Sequence, residues 1–315
     1  MFSPENFVEE AAALLKEQID DVAIIACSGG IDSTVAACIA NSAVGNLLHC
    51  VYVDTGFMRK NETEEIKEML EDLGLNLTIV HASKRYFEAL KNAEEPEEKR
   101  KIIGEVFIRI FEDEQAKVGA KYLIQGTIAP DWIESGGGER DTIKSHHNVG
   151  GLPEDMTLEI IEPLRDLYKD EVRDVARQLK VPSSERQPFP GPGLAIRCLG
   201  ELTEKRVGIV RESCAIVEEE LELASERGEM ELPWQYFAVL LPVKSVGVHG
   251  DVRVYGETVV VRAVRSLDGM SARYSIIPHE ILQKISTRIT NTLKDSVNRV
   301  VYDITHKPPG TIEWE

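Results

Sequence analysis

The chain has 315 residues, 43% of them hydrophobic and 29% charged, which predicts about two globular domains with ordinary cores. Its formal net charge of −18 argues against a nucleic-acid partner, because binding to a phosphate backbone needs a basic surface. No apolar run approaches the roughly 20 residues of a membrane span, and the N-terminus lacks the apolar core of a signal peptide, so we expect a cytoplasmic protein with no membrane partner.

Short apolar runs alternate with amphipathic stretches in the first half of the chain. Apolar runs bounded by turn residues indicate buried strands, and apolar positions three or four apart indicate helices. This alternation predicts an α/β fold with a doubly wound, mainly parallel sheet, whose ligands bind at the carboxyl ends of the strands. The expected strands cover residues 22–27, 47–53, 77–80 and 122–125, and the expected helices cover about 4–18, 32–40, 61–73, 101–118 and 172–179.

A proline-rich segment, residues 182–193, separates this half from a region with a different pattern. We therefore expect a domain boundary there, between residues 1–185 and 186–315. Strands and helices occur in groups beyond the boundary, which indicates a smaller α+β domain. The expected strands cover residues 237–243, 252–255, 259–264 and 300–302, and the expected helices cover 203–226 and 278–292.

The strongest local pattern is a loop with two glycines between the first expected strand and the next helix. Glycines let the backbone turn tightly and approach a ligand closely, and the N–H groups at a helix start attract an anion. The loop therefore predicts a phosphate site, in which its aspartate requires an intervening Mg²⁺ ion. An ordinary strand-to-helix turn with a serine cap is the alternative. The loop consists of Ser28, Gly29, Gly30, Ile31, Asp32, Ser33 and Thr34.

This loop resembles the pyrophosphate-binding SGGxDS loop of the N-type ATP-pyrophosphatases, which convert ATP into an adenylated intermediate and pyrophosphate. Strings further along the chain are similar to one branch of that superfamily, the GMP synthetases. They are VDTGFMR from residue 53, QGTIAP from 125, IKSHHNVGG from 143, PFPGPGLAIR from 188, FAVLLPVKSVG from 237 and KPPGTIEWE from 307. The resemblance implies an adenine nucleotide alpha hydrolase-like domain, then a dimerisation domain, and hence a homodimer.

The resemblance also implies a reaction and its residues. ATP adenylates XMP, and ammonia then displaces AMP to give GMP. The implied ATP site is the glycine loop, with Mg²⁺ bound by Asp32; Asp54 is a second candidate for a link to the ion, and a turn at a strand end is an equally good interpretation of it. The implied catalytic residues, within a glycine-bracketed lid, are Lys144, His146 and His147. Asp131 and Glu134, three positions apart beside the lid, are further catalytic candidates that would orient the substrate or Lys144; a solvated helix start is the alternative for them. The implied XMP-binding residues are Lys307, Thr311, Ile312 and Glu313 in the tail, for which a flexible chain end is the alternative. Arg299, near the last expected strand, is a further XMP-binding candidate because of its charge.

Two features depart from this family's pattern. Ala129 stands where many members have Tyr or Arg, and only 27 residues precede the glycine loop, which is too few for the glutaminase domain of fused members. We therefore expect a separate glutaminase subunit, as in the two-subunit form of archaea, or the use of free ammonia. The alternatives are another N-type ATP-pyrophosphatase (tRNA-modifying or NAD synthetase-like) and a non-catalytic ATP-binding regulatory subunit.

Overall fold

The computed structural model describes residues 2–130, 158–182, 187–267 and 269–315. The chain forms two compact units. The first contains Met1–Gly56, Glu62–Ser83 and Ile103–Glu185, and the second contains Phe57–Asn61, Lys84–Ile102 and Arg186–Glu315. Two segments that precede the expected boundary, 57–61 and 84–102, thus join the second unit. Phe57 is one reason for this, because its ring packs edge-on against the rings of Tyr86 and Phe87.

The first unit contains a sheet of five parallel strands. The strands are β1 (Ala23–Ala26), β2 (Leu48–Asp54), β3 (Leu77–His81), β4 (Tyr122–Ile124) and β5 (Glu159–Ile161). The helices that begin in this unit or extend into it are α1 (Pro4–Gln18), α2 (Ile31–Val44), α3 (Glu62–Asp72), α4 (Ser83–Ala89), α5 (Pro96–Val118) and α6 (Lys169–Gln178). Two of these elements, α4 and β5, were not expected from the sequence, since both are short and β5 is largely exposed at the sheet edge.

The strand order is β3-β2-β1-β4-β5, and every pairing is parallel. The predicted doubly wound parallel sheet is therefore confirmed. Strand order reverses at β1, which pairs with β2 on one side and with β4 on the other. Such a reversal leaves a crevice outside the carboxyl ends of the two strands where the order switches. Here the loops after β1 and β4 lie at that crevice.

The second unit contains a sheet of four strands. They are β6 (Gln235–His249), β7 (Val252–Arg265), β8 (Arg273–Tyr274) and β9 (Val297–Tyr302), with α7 (Glu204–Glu226) and α8 (His279–Thr292) as the further helices. β7 pairs antiparallel with β6 and β8 and parallel with β9. The predicted smaller α+β domain is therefore confirmed.

One strand prediction is wrong. The sequence suggested two strands, 252–255 and 259–264, because Gly256 and Glu257 interrupt the apolar pattern, but β7 is continuous through them. The glycine is accommodated by packing, since a Cβ on Gly256 would lie 2.9 Å from Cγ of Asn298. Asn298 also donates through Nδ2 to the carbonyl of Ser245 at 2.7 Å, which joins β9 to β6. Within the described part of the chain, no helix has the length and apolar character needed to cross a membrane.

Candidate active site

The loop after β1 turns sharply at Gly29. This residue has φ +78°, a conformation that side chains with a Cβ rarely adopt. A Cβ at the same position would lie 2.5 Å from Cδ1 of Ile66 on α3. The backbone conformation therefore favours glycine here, and any larger residue would also have to displace the Ile66 side chain.

Two serine hydroxyls shape the loop from inside. Ser33 Oγ donates to the carbonyl of Gly30 at 3.1 Å and accepts the backbone N–H of Ser28 at 3.3 Å. The two hydroxyls lie 3.2 Å apart, and the N–H of Gly30 donates to Ser28 Oγ at 3.2 Å. A hydroxyl has one donor hydrogen and that of Ser33 is used, so Ser28 donates to Ser33. The hydroxyls thus stabilise the loop itself, and their predicted contact with phosphate stays a prediction.

The start of α2 has no side-chain cap. Gly30 is its N-cap residue, and no side chain accepts from the first turn in that role. An α-helix leaves its first N–H groups without intrahelical partners, and these groups with the helix dipole favour an anion. Thr34 is buried, and its hydroxyl donates to the carbonyl of Gly30 at 2.8 Å. The first turn also contains Asp32.

The loop after β4 packs tightly on this helix start. A Cβ on Gly126 would lie 2.9 Å from both the carbonyl carbon of Asp32 and the amide nitrogen of Ser33. The next residue, Thr127, is buried, and its hydroxyl has no hydrogen-bond partner among the residues that the structure describes. The two loops at the strand-order reversal therefore form one contiguous surface.

Asp54 has the contacts of a turn residue. Its Oδ1 accepts the backbone N–H of Gly56 at 3.0 Å, and its Oδ2 lies 3.3 Å from Nδ1 of the exposed His81. The Asp54 carbonyl also accepts the N–H of Ala82 at 2.9 Å. These contacts favour the turn interpretation of Asp54, and its link to Mg²⁺ stays a prediction.

The predicted catalytic residues are not among the described residues. Asp131, Glu134, Lys144, His146 and His147 all lie between residues 131 and 157, outside the described ranges. Their roles stay predictions. Among the described residues, no three His, Cys, Asp or Glu side chains form a group that would hold a metal ion.

The segment Lys307–Glu315, which we call the tail segment, lies in the second unit. Lys307 pairs with Ala272 through two backbone hydrogen bonds, and its Nζ donates to the carbonyl of Gly269 at 2.8 Å. An ammonium group has three donors, so others remain for a phosphate. Arg299, on β9, is exposed and donates through Nε to Ser245 Oγ at 3.2 Å.

Buried arginines fix the middle of the tail segment. Arg262 is fully buried, and its Nη2 and Nε donate to the carbonyls of Thr311 and Ile312 at 3.0 and 3.4 Å. Arg197 is also fully buried and forms a two-point contact with Glu313, from Nε to Oε2 at 3.0 Å and from Nη2 to Oε1 at 2.8 Å. Burial disfavours the charged guanidinium, but the neighbouring Glu313 carboxylate outweighs this and raises the pKa of Arg197.

The sequence alone indicates the glycine loop, the strand ends and the tail segment as parts of a site. It indicates no role for Gly126, Arg197 or Arg262. A signal for two of them was present. Arg197 ends the apolar string LAIR, and Arg262 lies within the apolar string VVVRAV. A charged residue in such a string is expected to be buried, and buried charges are almost always paired. Gly126 gave no such signal, because its role depends on a neighbour almost a hundred positions away.

Two family models match parts of the chain, and relatives match all of it. The model described as "GMP synthase C terminal domain" matches residues 222–314, and the model described as "NAD synthase" matches residues 5–113. The chain is 58% identical to a protein of Thermococcus kodakarensis that is named as one subunit of a glutamine-hydrolyzing GMP synthase, over 99% of each chain. Proteins of the same name from Methanopyrus kandleri and Methanocaldococcus jannaschii are 57% and 54% identical, over 100% of each chain. A solved structure, the NMN synthetase from Francisella tularensis, aligns with a TM-score of 0.49 and 16% identity, over 66% of this chain and 85% of that chain.

Proposed function

Since the chain belongs to this family of GMP synthase subunits and is therefore a carbon–nitrogen ligase, we propose that it converts XMP to GMP with ATP and ammonia. The observation that carries this proposal is the 58% identity over 99% of both chains. The glycine loop at the carboxyl end of β1 supports it independently, because it offers an uncapped helix start to an anion.

We further propose an adenylation step. The 2-oxygen of XMP bonds to the α-phosphorus of ATP, the bond from that phosphorus to the β-phosphate oxygen breaks, and pyrophosphate leaves. The nitrogen of ammonia then bonds to purine C2 and loses a proton, and AMP leaves with the former XMP oxygen. Reactions of this kind depend mainly on positioning and on stabilisation of charge.

In this proposal the glycine loop binds the departing pyrophosphate. The N–H groups at the start of α2 donate to its negatively charged oxygens, while the Ser28 and Ser33 hydroxyls keep the loop in shape. Gly126, in the loop after β4, packs against the backbone of the same helix start. The tail segment binds XMP. The residues of the predicted lid, Lys144, His146 and His147, contact the α-phosphate, at which the reaction takes place.

Magnesium fits this site through a single carboxylate. Mg²⁺ keeps several waters and binds proteins through one or two carboxylates together with substrate phosphates. Asp32, in the first turn of α2, provides one such carboxylate beside the phosphate-binding amides. An ion held there by Asp32 would supply neutralising charge for the leaving pyrophosphate. Asp54 fits less well as a ligand, because Gly56 and His81 already contact its two oxygens.

The proposed partners are a separate glutaminase subunit, which supplies ammonia, and a second copy of this chain. The relatives are named as one subunit of a glutamine-hydrolyzing enzyme, which supports the proposal of a separate glutaminase subunit. An apolar face on the β6–β7 ribbon supports the second partner: Val246 lies directly opposite Tyr255, and Val248 is two residues further along. These side chains are 45%, 74% and 66% exposed. An exposed apolar face of this kind can meet the same face of a second copy across a two-fold axis.

An ammonium-driven assay tests the proposed reaction. The purified chain is mixed with XMP, ATP, Mg²⁺ and ammonium, and nucleotides and pyrophosphate are quantified. The proposal predicts GMP, AMP and pyrophosphate in equal amounts. In a parallel reaction, nicotinic acid adenine dinucleotide replaces XMP, and its amidation would favour the NAD synthetase-like alternative. Binding of ATP without any product in either reaction would favour the regulatory subunit.

A further inference from the structure

Glu313 is anchored by donors on both of its oxygens. Arg197 donates to Oε2 through Nε and to Oε1 through Nη2, and Gln235 Nε2 also donates to Oε1 at 2.8 Å. A carboxylate has about four acceptor positions, two on each oxygen. Oε1 therefore has both positions occupied, whereas Oε2 has one left. The Glu313 side chain retains 18% exposure, so it is not sealed off from a ligand.

Arg197 is itself held rigidly. Its guanidinium lies 4.0 Å from the ring centroid of Phe237 and 5.2 Å from that of Phe189, and the side chain has no solvent exposure. The planar guanidinium fork fixes the plane of a carboxylate that it contacts at two points, which a lysine ammonium does not do. The orientation of the remaining position on Oε2 is therefore set by Arg197.

Neighbouring contacts fix the tail segment on both sides of Glu313. Arg262 binds the carbonyls of Thr311 and Ile312, and Lys99 donates to Glu315 Oε2 at 2.5 Å and to the carbonyl of Cys198 at 3.0 Å. Lys99 and Arg262 are fully buried. A segment fixed in this way does not need to become ordered when its ligand binds, which lowers the entropic cost of binding.

We propose that Arg197 is a positioning residue for XMP: it does not touch the nucleotide but orients Glu313, whose Oε2 accepts a hydrogen bond from an N–H or hydroxyl group of XMP. This inference rests on the proposed function, in which the tail segment binds XMP. It adds a residue of the PFPGPGLAIR string to substrate recognition. A purely structural role for Arg197 predicts instead a loss of stability with no selective effect on XMP.

The test compares Arg197→Met and Arg197→Lys with the parent chain in the ammonium-driven assay. Both variants are expected to raise KM for XMP by roughly 10- to 100-fold, because a charge-assisted contact is lost or misdirected, while KM for ATP changes by less than about twofold. Lysine keeps the charge and is expected to recover part of the lost thermal stability, but not KM for XMP. Ile285→Ala, a fully buried α8 position, is the control for destabilisation alone and should leave both KM values unchanged.

A double variant tests whether Arg197 acts through Glu313. Arg197→Met with Glu313→Gln should raise KM for XMP no further than the worse single variant, since both remove the same contact. If Arg197→Met does not fold, Gln235→Leu removes the second donor to Oε1 and should raise KM for XMP selectively.

Three results would overturn the inference: an unchanged KM for XMP in the variants, a recovery of the parent value by lysine, or multiplicative effects in the double variant. If the parent chain makes no GMP from XMP, the proposed function fails and the inference falls with it. If the parent makes GMP and the variants retain its KM for XMP, only the inference fails.

Discussion

Gly126, two residues after β4, lies so close to Asp32 at the start of α2 that a Cβ on it would be 2.9 Å from the Asp32 carbonyl carbon. The nearest neighbours are backbone atoms, which cannot move aside as the end of a side chain can. The loop after β4 and the helix that follows the glycine loop are thus packed to the limit that glycine allows. This contact fixes the position of the start of α2, whose backbone N–H groups are proposed to bind phosphate.

Gly126→Ala should therefore displace the start of α2. We expect a loss of stability of about 1–3 kcal/mol, typical of an overpacked site, together with a higher KM for ATP. Chemical unfolding and the ammonium-driven assay measure the two effects. Gly208→Ala is the matched control, because Gly208 lies within α7 and a Cβ there meets nothing within 4 Å. This control should stabilise the chain by about 0.5–1 kcal/mol, and equal behaviour of the two variants would contradict the packing argument.

Ser33→Ala should weaken binding of ATP without affecting XMP. The change removes the acceptor of the Ser28 N–H and the donor to the Gly30 carbonyl, so the glycine loop loses internal support. We expect KM for ATP to rise roughly 3- to 10-fold, in line with the loss of about one hydrogen bond's worth of free energy. The control is Ser42→Ala on the same helix, whose hydroxyl donates to the Ile39 carbonyl at 2.7 Å. A change in KM for XMP as large as that for ATP would refute this role.

The fold was largely predictable because local patterns and tertiary packing agree. Strands β1 and β4, in the middle of the parallel sheet, are buried and form apolar runs in the sequence, as in the AIIA string of β1. Where the two disagree, prediction fails. β7 runs through Gly256 because Asn298 packs against the space that a side chain would fill. β6 was expected to end at residue 243 but continues to His249, and its register with β7 shifts between Leu240 and Lys244, around Pro242. A proline lacks the N–H that a regular ladder needs, so a register shift accommodates it.

The glycine loop of the candidate site could be located from the sequence, but its internal contacts could not. The glycine loop was recognisable because Gly29 and Gly30 are adjacent in sequence, between a strand and a helix. The hydrogen bonds within the loop could not be predicted, because the contact between the Ser28 and Ser33 hydroxyls is seen only once the loop is folded. Arg197 and Glu313 are 116 positions apart, and no periodic pattern joins two such residues.

Asp32→Asn and Asp54→Asn should respond differently to magnesium. Asparagine at position 54 can still accept the Gly56 N–H, so the turn remains and the Mg²⁺ requirement should be unchanged. Asparagine at position 32 removes the charge proposed to bind the ion, and the Mg²⁺ concentration for half-maximal activity should rise by roughly tenfold or more. Titration of activity with Mg²⁺ after EDTA treatment measures both. The reverse order would make Asp54 the ligand.

The proposed homodimer should depend on the apolar face of the β6–β7 ribbon. Light scattering of the parent is expected to give the mass of two chains of 35.1 kDa each. Val248→Arg with Tyr255→Arg should give single chains, since like charges would meet across a two-fold interface. Leu14→Arg, at a 56% exposed position on α1, is the control and should remain dimeric. A monomeric parent would contradict the proposal directly, as would an unaffected double variant.

The adenylation step is tested most directly by the fate of one oxygen atom. XMP labelled with ¹⁸O at the 2-position is incubated with the chain, unlabelled ATP, Mg²⁺ and ammonium, and the products are analysed by mass spectrometry. The account predicts one ¹⁸O in the phosphate of AMP for each GMP formed, and none in pyrophosphate. Unlabelled AMP accompanied by GMP would contradict it, because the XMP oxygen would then have left by another route.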